Sequence, residues 1–497
     1  MSERGQITIE KAADLVADHL LNCARQEIVI TLSWRDQHQK GYPSNIGLGG
    51  FNNRGVEDGS NELTYLLLHL MGLLRLPEPH LFIRWHKGMP RWVMRKAIET
   101  NLLAGGGVPQ YHNAQHIVDD LVERGVDLEA ARCFQSHGCS QSSSADSPSA
   151  MLPSYFNIPL YIDLALHNGV FSKSGKMLGV ETGDPRDFSS FKEFYDAFIA
   201  QMEHVSRKEL WHDRMVDRLR PVYYRQPLAS ALMPGCIQSG VDYAAGGMKH
   251  YANWYKKDRG FVPAGDSLTA VKRLVFDEKK LTMAQLLDAL DSNFAGPSGE
   301  KIRQLCLLAP KYGNDTDEPD RMVRDIGKHH ASILRSEKNI FGYPYAINRN
   351  GEAWHFSAGK KLPALPNGRR ANEPLADGSL SASQGMDRKG PTALLNSAIR
   401  ADFKEAEAAI LTVSLPASTF RSESLQEKLI DLTEGFLRRG GTQIQYNIID
   451  VETLKDAKRN PENHKDLLIR VGGYSAFFTT LSPEVQDEII ARTEHKL

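Results

Sequence analysis

The sequence is poor in cysteine and shows no excess of either charge. Its five cysteines, Cys23, Cys133, Cys139, Cys236 and Cys306, form an odd, scattered set with no CxxC pair among 497 residues. That excludes a disulfide framework and makes a structural zinc site a poor fit. Cys133, His137 and Cys139 lie close together, but no fourth ligand stands at a usual spacing, so no metal is expected. Sixty basic residues face 61 acidic ones, which gives no broad basic surface for nucleic acid or anionic lipid. The longest apolar run, Leu63–Leu76, is interrupted by His69 and Arg75 and falls short of the roughly 20 residues that span a bilayer. Glu3 and Glu10 stand where a signal peptide needs its apolar core. A cytoplasmic setting is the expectation, with neither nucleic acid nor membrane as a partner. No internal repeat is visible.

What is present reads as an ordinary globular chain, 41% hydrophobic and 24% charged. Apolar spacing predicts helices over 8–26, from Asn61 through Met71, and over 92–103, 113–123, 155–168, 425–438 and 451–458. Strands are predicted at 80–85, 409–415 and 443–450, with a strand-like run at 466–471. Between them lie a Gly/Asn-rich loop (41–61), a serine-rich loop carrying Cys139 (136–149) and a long Gly/Pro/Asn-rich stretch (342–396). Loops of that length inside a compact domain tend to carry function. Helix and strand alternate, which points to an α/β barrel or layered sheet.

The most informative segment is Arg470-Val471-Gly472-Gly473-Tyr474-Ser475-Ala476-Phe477-Phe478. By glycine content alone it is a turn between a strand and an apolar element. Its wording, however, closely resembles the fingerprint of the glycyl radical enzymes, the group that includes pyruvate formate-lyase. In that family the glycine matching Gly473 stores an unpaired electron. Glycine suits the task because spin on its α-carbon spreads to the amide nitrogen and the carbonyl, while a side chain would hinder planarity and close approach. The family relays the radical to a cysteine in a facing loop, usually written GCxE. The matching segment here is His137-Gly138-Cys139-Ser140-Gln141. The resemblance also covers Gly49-Gly50 through Leu63, Arg84–Gly88, Gly105–Pro109, Asp266–Leu268, Ala309–Asp315, Pro366–Arg369, Glu373–Gly378, Gly390–Ala393 and Gln445–Asn447, in family order.

The resemblance implies an α/β fold: the C-terminal portion of a ten-stranded barrel, with finger loops carrying Cys139 and Gly473. It divides the chain into an N-terminal helical segment (1–40), a barrel half with the cysteine loop (41–370) and a glycine radical domain (371–497). It implies no cofactor in this chain and a separate activase, a radical S-adenosylmethionine enzyme with a [4Fe-4S] cluster. Because family members carry a long region before the part matched here, a separate N-terminal barrel-half subunit is expected, in a homo- or hetero-oligomer. The stored radical implies oxygen sensitivity and an anaerobic setting.

Catalysis is expected from Cys139 and Gly473, with His137, Gln141, Arg470, Tyr474 and Ser475 in support. Trp254 and Arg259, within the aromatic and cationic stretch 250–265, are candidates for a substrate pocket; the same stretch also reads as a packed helix with a solvated basic face. Gln141 stands where the family's eliminating members carry a glutamate, and an amide cannot serve as a general base. No second thiol adjoins Cys139, so an acyl-thioester relay of the pyruvate formate-lyase kind has no partner. The expected reaction is therefore carbon–carbon cleavage or formation, as in arylacetate decarboxylases or the fumarate-adding benzylsuccinate synthases. A dehydratase, lyase or formate acetyltransferase is the alternative, and a non-catalytic rescue subunit for an oxygen-damaged enzyme is the second.

Overall fold

The computed structural model describes residues 7–25, 44–52, 57–144, 154–349, 354–417, 422–492 and 494–495. Parts of the Gly/Asn-rich loop, the serine run from 145 on, residues 350–353 of the long loop and the boundary expected at residue 40 lie outside them. The fold is α/β. Nine strands build its frame: β1 (Asn45–Gly49), β2 (His80–Trp85), β3 (Gln110–Asn113), β4 (Ser154–Asn157), β5 (Tyr255–Arg259), β6 (Ala346–Arg349), β7 (Ala408–Ala409), β8 (Thr412–Leu415) and β9 (Gln443–Ile448). One sheet runs β1-β2-β3-β9-β8, the other β7-β6-β5-β4. All neighbours are parallel except β3 and β9. The segment 408–415 supplies an edge strand to each sheet. Between those strands, Ile410 N–H donates to the Arg349 carbonyl at 3.1 Å and Gln445 N–H to the Leu411 carbonyl at 3.0 Å, so the two sheets form one wall.

That wall has two chemically distinct faces, set by the two-residue period of a strand. Leu81, Ile83 and Trp85 of β2, Tyr111 of β3, Ile347 of β6 and Ile444, Tyr446 and Ile448 of β9 belong to the main apolar core with the covering helices. The other face carries one aromatic residue, Phe82, which packs on His112, and otherwise His80, Arg84, Gln110, His112, Lys257, Arg259, Asn348, Gln443, Gln445 and Asn447, all buried. Parallel strands covered on both faces normally read as continuous apolar runs. Here the second face is polar, and its groups find partners in two hairpins seated against it.

The helices follow their sequence signals closely. Asn61 forms a capping box with Thr64 and starts Glu62–Leu74. Two segments differ from expectation. Residues 255–259 form a strand rather than a packed helix, because Tyr255–Arg259 is drawn into parallel pairing with both β4 and β6. The helix expected from Tyr155 begins only at Ile158, because Ser154–Asn157 pairs with β5 first.

Glu407, just before β7, ties the wall to the first hairpin. It is wholly buried. Its Oε1 accepts from Ser142 N–H at 3.0 Å and from Asn348 Nδ2 at 2.9 Å, and its Oε2 accepts from Arg124 Nη2 at 3.2 Å. Burial raises the carboxyl to about 8, against the opposing charge of Arg124. A carboxyl raised on folding favours the native state fully below its unfolded value and loses that contribution as pH rises through the folded one. Through this group, stability falls between pH 4.5 and about 8. Glu407→Gln is expected to flatten that slope in urea-unfolding midpoints taken across the window. Glu407→Ala, which leaves the buried Ser142 N–H and Asn348 amide without their acceptor while Arg124 keeps Asp120, is expected to cost about 1–3 kcal/mol.

Candidate functional site

The first hairpin pairs Gln135–His137 with Gln141–Ser143, in the register His137 with Gln141. The sequence predicts a loop here; Gly138 closes the strands instead, at a positive φ of 56°. A Cβ on Gly138 would press on the end of the Gln141 side chain, and the left-handed φ favours glycine here. Cys139 sits at the tip, 5% exposed. The barrel wall grips the hairpin throughout. His80 Nδ1 lies 3.2 Å from the Gly138 carbonyl, Ser136 Oγ lies 3.3 Å from His112 Nδ1, and the Tyr255 hydroxyl donates to the Ser142 carbonyl.

The second hairpin pairs Leu468–Arg470 with Ser475–Phe477. Its turn is closed by Val471 N–H to the Tyr474 carbonyl at 2.9 Å. Gly473 adopts a φ of 99°, in the region that favours glycine. Seating depends on the glycine triplet 105–107: Ile448 N–H donates to the Gly105 carbonyl, and a Cβ on Gly107 would lie 2.8 Å from Ser475 Oγ and 3.0 Å from Arg470 Cβ. A Cβ on Gly473 would lie 2.5 Å from the Cys139 Cβ and 2.9 Å from its Sγ. The two tips, far apart in sequence, are in direct contact, and there is no room for a side chain between them.

Arg470 is wholly buried. Its Nη2 donates to the Gly473 carbonyl at 2.6 Å, its Nη1 to Ser475 Oγ at 3.1 Å and its Nε to Gln445 Oε1 at 2.9 Å. Tyr474 is buried in the small core of the glycine hairpin, and burial holds its phenol protonated. His137 is enclosed beside Tyr255; burial and then the charge of Lys257 depress it to about 4, so it is neutral at physiological pH. In the amide orientation that satisfies both ends, Gln141 donates to the His137 carbonyl and accepts from Lys257 Nζ at 2.7 Å. Arg259, two residues along the same face, packs over the stacked rings of Tyr155 and Trp354.

Trp254 is directed elsewhere. Its Nε1 donates to Asp217 on the long outer helix Phe191–Tyr223, and its ring packs against Tyr251 and Phe341. The aromatic neighbours of Arg259 are Tyr155 and Trp354 instead. Lys257, which lies in the cationic stretch read from the sequence, adjoins the cysteine hairpin, as do Asn348, His112 and Glu407, which sequence reading did not single out as site residues. A signal existed for the polar wall: Gln443, Gln445 and Asn447 place amides at every second position of a strand, where apolar residues would pack. Nothing local marks Glu407. Among the described residues no group of three His, Cys, Asp or Glu side chains could hold a metal ion, and no helix is long and apolar enough to cross a membrane.

Known proteins are similar in sequence and fold. The pyruvate formate lyase-like family model matches residues 2–349 and the glycine radical model residues 376–479. Trans-4-hydroxy-L-proline dehydratase of Clostridioides difficile is 34% identical over 91% of this chain and 56% of its own length. Isethionate sulfite-lyase of Oleidesulfovibrio alaskensis is 32% identical over 99% of this chain and 60% of its own. The crystal structure of the hydroxyproline dehydratase from Clostridioides difficile, with trans-4-hydroxy-L-proline bound, superimposes with a TM-score of 0.92 at 31% identity, covering all of this chain and 62% of that one. The chain thus spans under two thirds of the length of these relatives. The family models together run from residue 2 to residue 479, so the expectation of a C-terminal part paired with a separate half-subunit gains no support from them. On the two domain matches and these relatives, the chain belongs to the pyruvate formate lyase-like glycyl radical family.

Proposed function

We propose that this chain is the catalytic part of a glycyl radical enzyme of the dehydratase or lyase kind, acting by elimination on a small organic substrate. One observation carries the radical relay: the Gly473 α-carbon and the Cys139 sulfur meet tip to tip against the polar face of the wall. Cys139 gives its sulfur-bound hydrogen atom to the Gly473 α-carbon radical and becomes a thiyl. The thiyl takes a hydrogen atom from the substrate and later returns one to the product radical. A rescue subunit would need only the glycine hairpin, and the buried cysteine hairpin favours the catalytic reading.

The relatives shift the choice of reaction. Those reported above are named for dehydration and for sulfite release, whereas indoleacetate decarboxylase of Tractidigestivibacter scatoligenes matches at 27%. Elimination, the alternative in the sequence reading, is therefore preferred to carbon–carbon chemistry. Gln141 remains unable to take a proton, and His137 is neutral. Lys257, held at 2.7 Å from Gln141, brings a positive charge to the base of the cysteine turn. That charge suits a substrate whose leaving group departs as an anion or which carries an anionic group. Arg259 and its aromatic neighbours extend the same face as a second grip.

Activation requires an iron–sulfur, S-adenosylmethionine-dependent partner with access to Gly473. The glycine hairpin and the helix Pro483–Ala491 share a small apolar core, while Leu468 and Phe477 of the hairpin pack on the main core, so exposing Gly473 to the partner requires opening those two contacts. Residues 41–370 are read as the part with the cysteine loop and 371–497 as the glycine radical domain, which also supplies β7, β8 and β9 to the wall.

After anaerobic activation, low-temperature electron paramagnetic resonance is expected to show a doublet from the single remaining α-hydrogen of Gly473. Gly473→Ala is expected to abolish the doublet, and Cys139→Ala to keep it while turnover falls to background. Air is expected to cut the activated chain at Gly473; an intact chain on mass spectrometry would overturn the radical assignment. Lys257→Met is expected to lower kcat/KM on the order of 10²-fold while the doublet persists.

A further inference from the structure

We infer that Arg470 tunes the stored radical: its guanidinium, donating to the Gly473 carbonyl oxygen, draws spin from the α-carbon onto the carbonyl and holds the electron on the glycine in preference to Cys139. This rests on the reading of Gly473 as the radical site. The 2.6 Å contact from Arg470 Nη2 to the Gly473 carbonyl is short for an N–H to oxygen bond and has the length of a charge-assisted one. Gln445 and Ser475 hold the other two arms. The backbone is held too: Arg470 N–H donates to Asn447 Oδ1 at 2.7 Å, and its carbonyl accepts from Asn447 Nδ2 at 2.9 Å and Arg492 Nη1 at 3.1 Å. The guanidinium therefore cannot turn away from the glycine.

Its charge is also undivided. Among the described residues no carboxylate lies within ion-pair distance of Arg470. Burial lowers it to about 10, with the charges of Cys139 and Glu78 opposing, so it stays protonated at neutral pH. A cation in a dry interior acts on its neighbour with little screening. A carbon radical at Gly473 conjugates with the amide nitrogen on one side and the carbonyl on the other. A positive charge at the carbonyl oxygen strengthens its pull on the spin, and because the donor is already in place no reorganisation is needed when the radical forms. The stored state is lowered relative to the thiyl, which then forms only transiently. The same hydrogen-bonded chain runs on from Gln445 through Gln443 and Gln110 to His112 and Ser136 of the cysteine hairpin, so the position of Arg470 is referenced to both tips.

The test uses the full chain, activated anaerobically by the iron–sulfur, S-adenosylmethionine-dependent activase. Arg470→Gln keeps a neutral donor and removes the charge. Its α-hydrogen splitting should be wider than in the unaltered protein, and its radical should decay faster without air. In the unaltered protein labelled with guanidino-15N arginine, electron–nuclear double resonance should detect a 15N coupling and exchangeable deuterons at hydrogen-bond range. That measurement needs no variant and decides the matter if Arg470→Gln fails to fold. An unchanged splitting in folded Arg470→Gln, or no 15N coupling in the unaltered protein, overturns the role of Arg470 alone. No doublet in the activated, unaltered protein overturns the assignment of Gly473 instead.

Discussion

The structure turns on a contact that leaves no space: two hairpin tips meet where a Cβ on one would overlap the side chain of the other. Radical transfer needs such closeness, since a hydrogen atom moves only between groups in near contact. Closeness of this kind forces the choice of residue on both sides. Gly473 must lack a side chain, and Gly138 must turn tightly enough to lift Cys139 to the tip. The glycines at 105–107 are tied to the same contact, because they let the second hairpin lie against the wall.

Holding two loops in that position has a cost, since a hairpin buried inside a barrel brings polar backbone with it. The wall meets this cost with its inner face. Amides, histidines, a lysine and a glutamate take the positions that a purely structural barrel would fill with apolar residues. Each hairpin carbonyl or amide they bind is one that water does not reach. Glu407 shows the arrangement most clearly, since a single carboxyl joins two strands, an outer helix and the cysteine hairpin.

The two hairpins are anchored differently. The cysteine hairpin is bound by the wall on several sides. The glycine hairpin packs Ile469, Val471, Tyr474 and Ala476 into a small apolar core and sets Leu468 and Phe477 on the main core; Asn447 and Gln445 bind Arg470, and Arg492 ties the Val471 carbonyl to Glu488 at 2.8 Å. Burial opposes the charge on Glu488, but Arg492 outweighs it and holds the carboxyl well below its usual range.

The sequence by itself determined what depends on residue type: the glycine and the cysteine that the family resemblance singles out, and an amide in place of the family's usual acid. It also determined the α/β class and most helix starts, because capping and apolar period act over a few neighbouring residues. Only the tertiary structure decided what depends on residues distant in the chain. It made 255–259 a strand, since pairing with two neighbours outweighs local preference. It turned Trp254 outward toward Asp217 and placed Trp354 beside Arg259. It gathered Lys257, Asn348, Glu407 and His112 around the cysteine hairpin from four separate segments. No local pattern marks such residues, because a side chain becomes part of a site through the neighbours that folding gives it.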